Sequence, residues 1–198
     1  MSDTLTVLRA ALEHDTARSS DFDLNPDVVL PAGRKLRPAG VLVPIQLVQN
    51  VPYVILTKRA SHLKHHPGQI AFPGGKQDET DVDVIAAALR EAREEIGLPT
   101  ENTTVLGTLP SHETVTNFCV TPVLAHVKHP FKVVAEPGEV EEVFSVPLDH
   151  VTNPNNYSIQ SRRWMGHKRS YFTVPFGSYY IWGATARILR GLAERMHA

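Results

Sequence analysis

The stretch "GQIAFPGGKQDETDVDVIAAALREAREEIGL", residues 68–98, decides how this chain is read. A Pro and two Gly lead into a segment in which Ile85, Ala88, Leu89, Ala92 and Ile96 recur at helical spacing, so a helix is predicted over Val84–Ile96. Gly97 closes its C-terminus and Pro99 helps to stop it. On the other side of this helix Glu91, Glu94 and Glu95 stand at i, i+3 and i+4, so their carboxylates form one patch. Like charges at that spacing repel by about 0.2–0.5 kcal/mol per pair, and the cluster is locally unfavourable. Taken alone, three such acids more often make a solvated helix face than a site. A broken local rule without visible compensation nevertheless marks a functional candidate, and a divalent cation is the first compensator to consider. Magnesium is hard, prefers oxygen ligands and commonly combines a few carboxylates with substrate phosphates. The apolar stripe would hold the acids on a rigid element, and Arg90 is placed to orient or neutralise one of them.

The rest of the chain sets bounds on this reading. With 198 residues, 42% of them hydrophobic, one domain spanning residues 1–198 is expected, comprising an N-terminal helix and arm at 1–38 and a core at 39–198. The 20 Lys and Arg against 21 Asp and Glu give no broad field for nucleic acid or membrane as a partner. Cys119 is the single cysteine, no secretory leader or long uncharged apolar run is evident, and a cytoplasmic protein is expected. No oligomeric state follows from the sequence.

Leu5, Leu8 and Leu12 form one stripe of a short N-terminal helix, and the three prolines of the following "DFDLNPDVVLPAGRKLRPAG" deny it a regular element. "GVLVPIQLVQ" and "PYVILTKR" read as two strands of a hairpin turning at Gln49 and Asn50. Further strands are expected at 103–109, 118–127, 140–146 and 170–174, and a last helix at 182–196. Strands mixed with helices in this order point to a layered α/β domain.

Gly75 to Leu98 resembles the Nudix box, G-x5-E-x7-R-E-U-x-E-E-x-G-U with U a bulky aliphatic residue. "REAREEIGL", residues 90–98, matches its second half, with Ala92 at the first aliphatic position. In the first half one residue is inserted, which leaves Asp78, Glu79 or Asp81 to take the place of the first glutamate. The resemblance implies an α/β/α sandwich around a mixed sheet, with the 84–96 helix on one face and the last helix on the other. It also implies that Arg90 orients the acids while Glu91, Glu94 and Glu95 bind Mg2+ or Mn2+. Nudix enzymes often draw one more acid from a loop in the region of Glu139, so the proton of the attacking water falls to a helix glutamate or to Glu139.

Upstream, "ILTKRASHLKHHPGQIAFPGG", residues 55–75, is similar to the L-L-T-x-R-[SA]-x3-R-x3-G-x3-F-P-G-G motif of the coenzyme A pyrophosphatase subfamily, with Ile55 for Leu and Lys64 for the second Arg. "GEVEEVFSVPL" at 138–148 and "IWGATARIL" at 181–189 also resemble this subfamily, whereas the first thirty-odd residues carry none of the likeness. The implied reaction cleaves coenzyme A or a derivative at its pyrophosphate, giving 3′,5′-ADP and 4′-phosphopantetheine. Such a polyphosphate needs cationic donors besides metal, for which Arg59 and Lys64 are favoured and Lys58 is available. Gly74 and Gly75 permit close backbone approach to the substrate. His62, His65 and His66 read as exposed loop residues, and Tyr180 and Trp182 as core aromatics rather than a stacking platform. Other Nudix substrates, such as ADP-ribose, and a non-catalytic nucleotide-binding module remain as alternatives.

Overall fold

The computed structural model describes residues 3–14, 17–30, 33–64, 66–164 and 167–198, and His65 lies outside them. Along the chain run α1 (Asp3–Glu13), β1 (Ser19–Ser20), β2 (Arg37–Val48), β3 (Val51–Arg59), β4 (Ile70–Ala71), β5 (Gly74–Lys76), α2 (Val84–Ile96), β6 (Thr103–Thr108), β7 (His112–Glu113), β8 (Phe118–Val127), β9 (Val140–Pro147), α3 (Leu148–Thr152), β10 (Ser158–Trp164), β11 (His167–Thr173) and α4 (Ala184–Met196).

β2 and β3 make the predicted hairpin, turning at Gln49 and Asn50, whose φ angles of 50° and 65° match the twist of the flanking strands. They pair only from Ile45–Val54 to the turn. Beyond that point they part, and the stretch after Gly68 fills the gap. β5 takes the freed edge of β2 and β4 the freed edge of β3, while the Leu42 N–H donates to the Pro73 carbonyl at 2.8 Å. The other edge of β2 runs parallel to β8, which also pairs with β6 and β7, and β9 closes the far edge of β3. The result is a nine-stranded mixed sheet among the described residues, with β10 and β11 as a separate antiparallel ribbon.

Strand alternation sends successive side chains to opposite faces. Leu42, Ile55, Val123 and Ala125 meet Ala88, Ala92 and Ile96 of α2 on one face. Val43, Ile45, Leu56 and Leu124 meet Leu8 of α1, Val151 of α3, and Leu189 and Leu192 of α4 on the other. Each fully buried aliphatic contributes about 1.5–3 kcal/mol, which both layers need in order to stay docked. The architecture is the expected α/β/α sandwich around a mixed sheet. Asp83 caps α2 by accepting the Ala86 N–H at 2.8 Å, and Gly97 ends it in the left-handed conformation.

Besides the short strands β1, β4, β5 and β7, which were not expected, other elements differ from the sequence expectation. The strand expected at 170–174 is the second half of a ribbon whose first strand, "SIQSRRW", hides its period behind polar and basic residues. The last helix starts at Ala184, because Trp182 still bridges to Thr173 in a strand-like pairing. The short helix α3 has too few residues to display a period. Of the proline-rich stretch expected to be irregular, the last four residues belong to β2 instead, because Arg37 to Gly40 pair in parallel with Phe118 to Thr121. The described residues before them are irregular but firmly tied, Asn25 exchanging hydrogen bonds with the Ser170 backbone at 2.9 and 2.8 Å.

Candidate active site

The wedge between β2 and β3 carries Gly74 and Gly75 onto the acidic face of α2. Gly74, at φ 149°, donates its N–H to Glu95 Oε2 at 3.1 Å. A Cβ on Gly74 would lie 2.5 Å from the Gly40 and Val41 backbone, so glycine is required there, and one on Gly75 would lie 2.7 Å from the Glu91 carboxylate and make that side chain shift. Glu95 is 5% exposed, and burial pushes its carboxyl up to about 8, against the Gly74 N–H and with help from the Glu91 and Glu139 charges. Burial also raises Glu91, partly offset by Arg90 and reinforced by Glu94 and Glu139.

Arg90 organises the neighbourhood. Its Nε and Nη2 donate to the two carboxylate oxygens of Asp81 at 3.0 and 2.9 Å, and its Nη1 reaches Glu91 at 3.0 Å and Glu94 at 2.9 Å. Hydrogen bonding to Asp81 raises Arg90 and holds Asp81 below the usual carboxylate range. Of the three acids left open by the inserted residue, Asp81 takes this two-pronged pairing, and Asp78 stands farther off at 3.7 Å. Glu94 is mostly exposed, turned to Arg90 at the helix surface.

One cavity of about 1110 Å³ begins at this cluster. Of the residues singled out from sequence, Arg59, Lys64, Gly74, Glu95 and Glu139 line it, whereas Gly75, Arg90, Glu91 and Glu94 are not among its walls. The 60–69 loop folds back on the end of β3: the Arg59 N–H donates to Gln69 at 3.0 Å and the Ala60 N–H to the Glu139 carbonyl at 2.8 Å. Glu139 is thereby held beside the end of that strand. Lys58 also lines the cavity, paired with Glu141 at 2.6 Å. Hydrogen bonds from Lys58 and then Ser61 hold Glu141 down at about 2.

The carboxylates fit a hard divalent cation in chemistry, being an all-oxygen set in which Glu91, Glu95 and Glu139 repel one another. As the side chains stand, no three acids close a ready-made cation cage among the described residues, since Arg90 draws Glu91 and Glu94 toward itself.

The core reading of Tyr180 and Trp182 does not hold. Tyr180 is 45% exposed, Trp182 is half-buried, and both line the cavity. With them stand Tyr171 and Arg162 on the β10–β11 ribbon, which the sequence reading missed. An aromatic at 171 near "YYIW" at 179–182 is the signal that was present.

A mixed-sheet α/β/α sandwich that gathers acids on a glycine loop and the following helix is the class this fold and site define. The NUDIX domain model matches residues 36–167. The chain belongs to the Nudix hydrolase family. It is 42% identical over 157 residues to the uncharacterized Nudix hydrolase NudL of Enterobacter sp. (strain 638), covering 79% of this chain and 81% of that one. It is 38% identical over 185 residues to the NudL of Salmonella heidelberg, covering 93% and 94%, so the likeness reaches into the N-terminal segment that carries none of the motifs. Among solved structures, the Nudix hydrolase RenU of M. smegmatis superposes at TM-score 0.50 with 26% identity over 71% of this chain and 84% of that one. The Nudix domain of Shewanella oneidensis NrtR, crystallised with ADP ribose, shares the fold at TM-score 0.51 and 16% identity, covering 88% and 94%. No helix among the described residues is long and apolar enough to cross a membrane.

Proposed function

We propose that this Nudix hydrolase cleaves the pyrophosphate of coenzyme A or its derivatives, releasing 3′,5′-ADP and 4′-phosphopantetheine or its acylated form. The observation that carries the reading is that Arg59 and Lys64, on the loop of the coenzyme A pyrophosphatase motif, line the same cavity as Glu95 and Glu139. The acids serve the reacting diphosphate, and the two cations supply donors for its charge. The whole chain acts as one unit, since α1 packs into the same core as α4. We take it to work in the cytoplasm on a small molecule.

Glu91, Glu94 and Glu95 are the residues that would hold Mg2+ or Mn2+. When bound, such an ion neutralises the diphosphate and lowers the pKa of the attacking water. Arg90, fixed by Asp81, orients the glutamates. Gly74 and Gly75 keep the loop backbone against them. Glu139 or a helix glutamate takes the proton, and no covalent intermediate is required.

The test is to compare kcat/KM for coenzyme A, dephospho-coenzyme A, ADP-ribose, diadenosine polyphosphates and nucleoside triphosphates with magnesium or manganese. Preference for coenzyme A or an acyl derivative supports the reading. Preference for ADP-ribose or a triphosphate replaces the substrate and leaves the Nudix hydrolase, and no turnover of any of them favours a nucleotide-binding module.

A further inference from the structure

Another wall of the cavity, on the β10–β11 ribbon, has a different chemistry. In the β10–β11 ribbon Arg162 stands directly across from Arg169, and Gln160 across from Tyr171, so Arg162, Arg169 and Tyr171 share one face. That face lines the cavity. Arg163 pairs with Lys168 on the opposite face. Like charges directly opposite are unfavourable in a ladder, and this pair brings positive charge to the cavity wall. An anion on the cavity side would meet the charge of Arg162.

Arg162 is set up to receive one. Its guanidinium carbon lies 4.3 Å from the centroid of the Trp182 ring, a stacking that fixes the side chain yet leaves its N–H edge to hydrogen-bond. Among the described residues it has no carboxylate or carbonyl partner, in contrast to Lys58, Arg90 and Arg187, each of which is held by an acid. Tyr171 lies 5.0 Å from Trp182, and Tyr180 lies 6.5 Å from it. Flat apolar surface beside a presented cation suits an aromatic base carrying phosphate. Arg59, by contrast, acts through space on Glu95 and belongs to the diphosphate end.

We propose that this ribbon face is the subsite for the nucleotide end of the substrate, in which Arg162 binds a phosphate monoester on the ribose and the Tyr171–Trp182 pair supports the base. This rests on the reading that the diphosphate is cleaved at the α2 glutamates. It makes Arg162 the residue that separates a ribose-phosphorylated nucleotide from one without that group.

The experiment measures binding of 3′,5′-ADP and 5′-AMP to the metal-free full chain by calorimetry, alongside kcat/KM for coenzyme A and dephospho-coenzyme A with magnesium. Arg162→Ala is expected to weaken 3′,5′-ADP, and to lower kcat/KM for coenzyme A, by about 10- to 100-fold, with much smaller effects on 5′-AMP and dephospho-coenzyme A. Arg163→Ala removes the same charge from the other face and should change none of these. Tyr171→Ala should weaken both nucleotides alike, by about 10-fold. Arg162→Lys, which keeps the charge, should recover part of the selectivity, and thermal melts check that every variant is folded. Equal losses for the two nucleotides in Arg162→Ala, or equal effects of Arg162→Ala and Arg163→Ala, would overturn the phosphate assignment, and normal binding by Tyr171→Ala would overturn the base assignment. If coenzyme A proves a poor substrate while Arg162→Ala still abolishes the preference for 3′,5′-ADP, the proposed substrate falls and the subsite stands. Coenzyme A cleaved with unaltered selectivity by Arg162→Ala gives the reverse.

Discussion

Arg90 grips both carboxylate oxygens of Asp81, at 2.9 and 3.0 Å, while its remaining nitrogen holds Glu91 and Glu94. Asp81 therefore governs the glutamates at second hand, by fixing the arginine that faces them. Outer partners of metal-binding carboxylates are typically worth about 10- to 100-fold in affinity or activity. Asp81→Ala is expected to lower kcat with Mg2+ by that factor and to raise the magnesium concentration needed for half-maximal rate. Unchanged magnesium dependence in this variant would remove Asp81 from the site.

Glu95 carries the largest conflict between stability and function. Its folded carboxyl is pushed up to about 8 by burial, whereas in an unfolded chain it titrates near its ordinary value. A carboxyl with a raised folded pKa leaves the fold unpenalised below the unfolded value and burdens it increasingly as pH rises toward the folded value. Glu95→Gln should therefore cut turnover on the order of 10²-fold, as loss of a group acting on the reacting centre does. In chelator, the same variant should melt at the wild-type temperature near pH 5 and above it near pH 8. Melting curves with the same pH slope for both proteins would contradict this.

Metal supplies what Glu95→Gln removes from the conflict. An ion bound only by the folded state stabilises by about 2.7 kcal/mol at 100 times its Kd, which for a chain of this size raises Tm by roughly 5–10 °C. Mg2+ or Mn2+ added to chelator-treated protein should produce such a rise, and Glu91→Gln should lose most of it. Equal shifts in the wild type and in Glu91→Gln would point to an ion bound elsewhere.

What the sequence disclosed follows from how each element signals itself. The helix over Val84–Ile96 was legible because its period of 3.6 residues and its Gly97 stop agree. Whether Asp78, Glu79 or Asp81 meets Arg90 was not legible, since a loop one residue longer can present any of them and only its folded path chooses. The ribbon was half-hidden for a related reason: its β10 strand carries Arg162 and Arg163 where a buried strand would carry apolar residues. With Arg162 unplaced, Trp182 and Tyr180 looked like the opening of a helix instead of the wall of a cavity.

The N-terminal arm was read only as irregular, yet it docks through a buried imidazole that no local pattern announces. His112 is fully buried on β7, with Nδ1 2.9 Å from Ser19 Oγ and Nε2 3.0 Å from Asp21 Oδ1. The other oxygen of Asp21 accepts the Val115 N–H at 2.9 Å. The ring thus meets a polar partner at each nitrogen. His112→Leu keeps comparable volume but strands a hydroxyl and part of a carboxylate. It should cost about 1–3 kcal/mol in denaturant unfolding, the penalty for buried polar groups left unpaired. Because Asp21 also lines the cavity, KM should rise more than kcat falls. Unchanged stability in this variant would mean that the β1–β7 pairing, the Asn25–Ser170 bonds and the Arg187–Asp23 ion pair hold the arm without the imidazole.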